Sequence, residues 1–167
     1  MRDDLGGLYD AHAPAVFAYL LNATRDYAQA SDILQEVFVK VAERPEVIHE
    51  LRSPRGWLIR AASCRLIDAF RKHAREEAAT AEAALDAELF VAADQPDERA
   101  FDAALADALG SLPEEQRAVV HLKIWEDMTF GEIAEALRIS ANTAASRYRY
   151  ALGKLEGLLR PLHDKSL

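Results

Sequence analysis

Residues 129–152 read TFGEIAEALRISANTAASRYRYAL, and the way this stretch divides into helices decides the fold. Thr129 and Glu132 have the spacing of a capping box, in which side chain and backbone at a helix start bond each other reciprocally. The spacing predicts a short helix over 130–137 that turns Ile133, Ala134 and Leu137 to a core. Arg138, Ile139 and Ser140 then form a turn, and Ser140 is the N-cap of a longer helix. On that helix Ala144, Tyr148, Ala151, Leu152 and Leu155 share one side. Thr143, Ser146, Arg147, Arg149, Tyr150 and Lys154 cover the rest. Capped short helix, brief turn and longer helix is the order of a helix-turn-helix. Arginine can grip phosphate or guanine, while asparagine, serine, threonine and tyrosine hydrogen-bond backbone or base edges. In a chain of formal charge −8, residues 139–150 therefore read as a surface for something anionic.

Working outward, SLPE at 111–114 repeats the device, with Ser111 and Glu114 at capping-box spacing and Pro113 in the first turn. The helix that follows carries Val119, Val120, Leu122, Ile124 and Trp125. A helix over about 99–109, ending near Gly110, precedes it. Together these make a module over 99–160, with 161–167 as a tail.

A first module covers 1–75. Helix one is expected over 3–22, with a bend near Pro14. A second opens at Asp26 as N-cap and ends before Pro45. Ala30, Ile33, Leu34, Val37, Phe38 and Val41 follow helical spacing on it. ERPEVIHELRSPRG at 43–56 is a connector with one helical turn. Ser53 and Pro54 are N-cap and first position of a third, long helix. There Leu58, Ile59, Ala62, Leu66, Ala69 and Phe70 share one face. Arg60, Arg65, Arg71, Lys72 and Arg75 share the other, with Trp57 beside them.

The charge is segregated. Residues 1–51 carry −5, 52–75 carry +6, 76–117 carry −10 and 118–167 carry +1. Phosphate responds to local field rather than to the total, so an acidic chain is no bar to nucleic acid. Residues 76–98, rich in alanine and acid, read as a flexible acidic linker that avoids phosphates. The fold class is thus all-α: two small helical domains joined by that linker. Half of the 167 residues are apolar, and strand-type alternation is absent. No apolar run reaches membrane-spanning length, and no secretory leader follows Met1, which suits a cytoplasmic protein. Cys64 has no disulfide partner, and His12, His49, His73, His121 and His163 show no ligand spacing. They read as surface or partly buried residues, with no metal and no cofactor. No nucleophile–base set stands out, so no enzymatic role is expected.

With these blocks in order, the chain resembles a bacterial RNA polymerase sigma factor of the extracytoplasmic-function group in the sigma-70 superfamily. LYDAHAPAVFAYLLNATRDYAQASDILQEVFVKVAERP and RSPRGWLIRAASCRLIDAFRKHAR look like region two, and ASDILQEVF is the most specific piece. LPEEQRAVVHLKIWEDMTFGEIAEALRISANTAASRYRYALGKL resembles region four. NTAASRYRYAL looks like a planctomycete-type subgroup variant. The resemblance implies a promoter-specificity subunit that binds core polymerase and recognises minus-ten and minus-thirty-five elements. Asp32, Gln35 and Glu36, supported by Phe38, match the polymerase-docking motif. The loop about 49–55 with Arg52, and Arg60, Arg65, Arg71 and Lys72, match positions for minus-ten DNA and a flipped base. Asn142, Thr143, Ser146, Arg147, Arg149 and Tyr150 match the minus-thirty-five contacts. Apolar parts of region four would hold the polymerase flap. An anti-sigma partner is a further implied possibility. The family often has glycine where Arg138 stands, and a left-handed backbone there costs arginine about 1 kcal/mol. Two rival readings are a sigma-like protein that binds an anti-sigma partner without DNA, and an autonomous helix-turn-helix regulator. The second leaves ASDILQEVF unexplained.

Overall fold

The computed structural model describes residues 2–49, 52–79 and 96–164. Among these residues the chain is all-helical, without a strand. The helices are α1 (Arg2–Thr24), α2 (Tyr27–Glu43), α3 (Pro45–His49), α4 (Pro54–Ala79), α5 (Pro96–Gly110), α6 (Glu114–Ile124), α7 (Phe130–Leu137) and α8 (Ala141–Asp164). Most of the linker expected at 76–98 lies outside the described residues.

Helix α1 is central and runs through Pro14. It packs against α2, α4 and α6, and a helix with neighbours on several sides needs apolar residues on several sides. Val16, Tyr19, Leu20 and Ala23 are accordingly fully buried. The Tyr19 hydroxyl donates to Ser63 Oγ at 2.9 Å, and the Ser63 hydroxyl donates in turn to the Ile59 carbonyl at 2.8 Å. Burial pushes the Tyr19 phenol up, so it stays neutral. Arg25 ends α1 in the left-handed conformation (φ 54). Asp26 then caps α2 by accepting the Gln29 N–H at 3.1 Å. All six apolar residues expected to face inward on α2 are buried. Ser53 opens α4 by accepting the Gly56 N–H at 3.1 Å.

The start of α7 also follows its sequence. Glu132 accepts the Thr129 N–H at 2.7 Å and Thr129 accepts the Glu132 N–H at 3.2 Å. Ile133 and Leu137 are buried; Ala136 joins them, while Ala134 is only half-buried. Arg138 closes α7 in the left-handed region (φ 55, ψ 46). Ser140 caps α8 by accepting the Thr143 N–H at 3.0 Å.

The start of α6 departs from expectation. Pro113 holds the N-cap position and no side chain caps there. Ser111 instead donates to the Ala108 carbonyl at 2.7 Å, closing the last turn of α5. Carbonyls at a helix end need donors as much as amides at a start need acceptors, and here the preceding helix takes the serine. Glu114 turns to α4, where its Oε1 lies 3.0 Å from His73 Nδ1. Burial raises the Glu114 carboxyl, against the opposing pull of His73 and Arg117.

One core spans both expected modules. Its buried residues come from α1, α2 and α4 and also from α6, α7 and α8. Helix α6 turns Ala118, Val119 and Leu122 to it, and Val120 to a second cluster with Leu109, Leu112, Ala151 and Leu155. Arg117 ties the halves together from inside. Its guanidinium donates to the Ala23 carbonyl at 2.9 and 3.2 Å, to Gly110 at 3.2 Å and to Leu112 at 2.7 Å. The ends of α1 and α5 thus share one cation, which suits the negative ends of both helix dipoles. Arg25 adds a bond to the Ala106 carbonyl at 2.8 Å. The sequence reading gave neither arginine a role.

Candidate nucleic-acid interface

Helix α8 stands on α7 through Tyr148, whose ring meets Phe130 edge-on at 5.6 Å. Ala144, Ala151 and Leu155 are buried beneath it. Leu152, expected inward, is exposed, because the cover from α5 and α6 centres on Ala151 and Leu155. On the outer side Asn142, Arg149 and Tyr150 are exposed; Thr143, Ser146 and Arg147 are half-buried. Thr143 Oγ1 lies 2.8 Å from Ser140 Oγ, so the cap already uses part of its capacity. Arg149 reaches Ser146 Oγ at 3.5 Å.

On α4 the cationic and apolar faces separate as expected. Leu58, Ile59, Ala62 and Leu66 are buried, whereas Arg60, Arg71 and Lys72 are exposed and Arg65 is half-buried. Arg52, just before α4, is exposed. Two of these cations meet the chain's own carboxylates. Arg60 Nη2 lies 3.6 Å from Glu135 Oε2 on α7, and Arg65 Nε lies 3.5 Å from Glu36 Oε2 on α2. Both pairs are open to solvent, and such pairs contribute under about 1 kcal/mol.

A stronger contact involves a residue not assigned from sequence. Arg55 donates through Nε and Nη2 to both Glu126 oxygens, at 2.8 and 2.9 Å. The Glu126 side chain is only 6% exposed. His121 Nε2 stands 3.8 Å from Glu126 Oε1, and His121 Nδ1 accepts from Asn22 Nδ2 at 3.0 Å. His121 is therefore buried, not a surface or partly buried residue. Burial would raise the Glu126 carboxyl; His121 and Arg55 outweigh it and hold the group down at about 2. A carboxyl lowered on folding stabilises above its ordinary value of 4.5, and that contribution fades as pH falls from there toward about 2. Urea midpoints measured across this window should fall more steeply for the native chain than for Glu126→Gln. Parallel pH profiles would contradict the linkage.

On α2, Asp32, Gln35 and Glu36 are exposed at the three- and four-residue spacing that places them on one side. Phe38, on the same helix, is buried, edge-on to Tyr9 with ring centroids 4.8 Å apart. Among the described residues no group of His, Cys, Asp or Glu could hold a metal ion. No described helix is long and apolar enough to cross a membrane.

Comparison with known proteins agrees with this arrangement. The Sigma-70 region 2 family matches residues 8–76, and the Sigma-70, region 4 family matches residues 102–155. The chain is 34% identical over 164 residues to the ECF RNA polymerase sigma factor SigL of Mycobacterium tuberculosis, covering 93% of this chain and 88% of that one. It is 30% identical over 156 residues to the ECF RNA polymerase sigma factor RpoE of Cereibacter sphaeroides, covering 89% and 82%. In fold it is similar to the sigma factor RpoE of Bartonella quintana, solved in complex with the anti-sigma factor NepR. The TM-score is 0.69 at 19% identity, over 88% of this chain and 91% of that one. The chain therefore belongs to the extracytoplasmic-function group of the sigma-70 family, the promoter-recognising sigma subunits of RNA polymerase.

Proposed function

We propose that the chain docks on core RNA polymerase through Asp32, Gln35 and Glu36, with Phe38 as the support beneath them. The connector before α4 and the row Arg52, Arg60, Arg65, Arg71 and Lys72 take the minus-ten element. Asn142, Thr143, Ser146, Arg147, Arg149 and Tyr150 take the minus-thirty-five element. The division of labour follows 1–75 and 99–160, with 76–98 as the link and 161–167 as a tail. The protein works in the cytoplasm and performs no catalysis of its own. NTAASRYRYAL supports placing it in a planctomycete-like subgroup.

The observation that carries this reading is the helix-turn-helix α7–α8 presenting Asn142, Arg149 and Tyr150 to solvent, on the same chain as a separate exposed cationic row on α4. Phosphate contacts position a protein and base contacts specify the site, and the two surfaces hold groups for both. An anti-sigma partner, as in the Bartonella complex, is a further binding partner of the same kind.

Adding the purified chain to core polymerase on genomic DNA should produce transcript starts that core alone does not make. The Asp32→Ala, Glu36→Ala double variant should bind core roughly tenfold or more weakly, as loss of interface anchors does. Absence of new starts with the native chain would overturn the assignment.

A further inference from the structure

The first module gathers its exposed apolar side chains on two helices. Among the described residues of α1 to α4, the large apolar side chains open to solvent are Tyr9 (47% exposed), Tyr27 (59%) and Val39 (56%). Tyr9 stands on α1 and the other two on α2. Val39 follows Asp32 by seven residues and Glu36 by three, so it lies on the line of the exposed acidic row. An open groove of about 360 Å³ adjoins that row, lined by Tyr9, Pro14 and Phe17 of α1 and by Tyr27, Ser31 and Leu34 of α2. Ser31 precedes Asp32 directly and Gln35 by four residues, so groove and row share a border. Each tyrosine meets one ring edge-on, Tyr9 that of Phe38 at 4.8 Å and Tyr27 that of Phe17 at 5.2 Å. From Tyr9 to Phe17 the groove follows α1 for about 12 Å, a little over two helical turns.

The groove's chemistry selects its occupant. Among the described residues its charged lining residue is Asp10, and no lysine or arginine lines it. Pro14 lies inside α1 and has no N–H to return to the Asp10 carbonyl, so a backbone acceptor stands beside the carboxylate. Aromatic rings next to acceptors favour a basic side chain, whose apolar stem packs on the rings while its cation meets ring face and carboxylate. The same charge repels nucleic acid. It also disfavours a second copy of this chain, because a two-fold contact would bring Asp10, Asp32 and Glu36 near their own equivalents. We propose that the Tyr9–Tyr27 groove is the apolar half of the polymerase-docking surface, filled by a long basic side chain from the partner surface that the acidic row holds. The proposal rests on the reading of Asp32, Gln35 and Glu36 as the docking row. The row supplies charge, which steers encounter, and the groove supplies the apolar burial that slows escape. Val39 adds an apolar contact within the row, so that the surface has anchors ringed by polar groups.

Four full-length proteins decide the matter: the native chain, Tyr27→Ala, Asp10→Lys and the Asp32→Ala, Glu36→Ala double variant. Asp10 is exposed, so its replacement leaves the core intact even if Tyr27→Ala does not fold. Association with and dissociation from immobilised core polymerase are followed at several salt concentrations. Tyr27→Ala and Asp10→Lys are each expected to bind about tenfold more weakly than native. In Tyr27→Ala the loss should sit in faster dissociation with an unchanged salt slope, whereas the double variant should associate more slowly and lose salt dependence. Native affinity in both groove variants, with the double variant weakened, would overturn the proposal and leave the acidic row standing. Weakening in the groove variants alone would count against the row and leave the groove as the anchor. Sedimentation of the native chain by itself covers the remaining occupant: a dimer that Tyr27→Ala dissolves would assign the groove to a second copy and overturn the proposal.

Discussion

Replacing Arg117 with leucine is expected to lower the stability of the fold by about 3 kcal/mol or more. The side chain is buried and supplies donors to three carbonyls, Ala23, Gly110 and Leu112. Leucine fills much of the space but leaves those carbonyls without donors, and a buried polar group without a partner costs about 1–3 kcal/mol. At roughly 2–4 °C per kcal/mol for a chain of this size, the melting temperature should fall by about 6–12 °C. Arg117→Lys should fall between the two, because an ammonium cannot span acceptors at the ends of two helices as a planar fork does. Urea unfolding of the three proteins measures the series. A loss under about 1 kcal/mol in Arg117→Leu would mean that the carbonyls find other donors.

The double variant Arg147→Ala, Arg149→Ala is expected to lose promoter selection at the upstream element. Each arginine in direct contact with DNA contributes about 1–3 kcal/mol. If the two add, use of a dependent promoter falls about 30-fold or more. The comparison is between a promoter with its upstream element and the same promoter with that element scrambled. Loss confined to the first supports base reading by α8. Equal losses on both would reduce these residues to phosphate contacts, and unchanged use of the first would remove them from the interface. Arg149 is the more exposed of the pair, while Arg147 is half-buried. The single variants should therefore divide the effect unequally, with Arg149→Ala the larger.

The parts of the fold legible in advance are those closed by neighbours in the chain. Asp26 with Gln29, Ser53 with Gly56, Thr129 with Glu132 and Ser140 with Thr143 each act across three residues. The same spacing appeared at Ser111 and Glu114, yet there it misled. Two helix ends competed for one serine, and the preceding helix took it. Leu152 sat on the apolar side of α8 by angle alone, but burial depends on where a neighbouring helix stops. The site divides in the same way. The faces of α4 and α8 were readable from periodicity, as was the burial of Phe38 on α2. The contacts of Arg55 with Glu126 and of Arg117 with Ala23 were not, since 71 and 94 residues separate the partners.

Sequence alone thus determined the helical class, the capped starts of α2, α4, α7 and α8, and the charged sides of α4 and α8. These follow from interactions within one or two helical turns, which the order of residues specifies directly. Tertiary structure alone decided that α1 packs against α6 as well as α2 and α4, that Arg117 closes two helix ends at once, and that Glu126 from the α6–α7 turn pairs with Arg55 at the start of α4. Those outcomes depend on which surfaces bury the most apolar area together, and that choice is made in space among elements far apart in the chain.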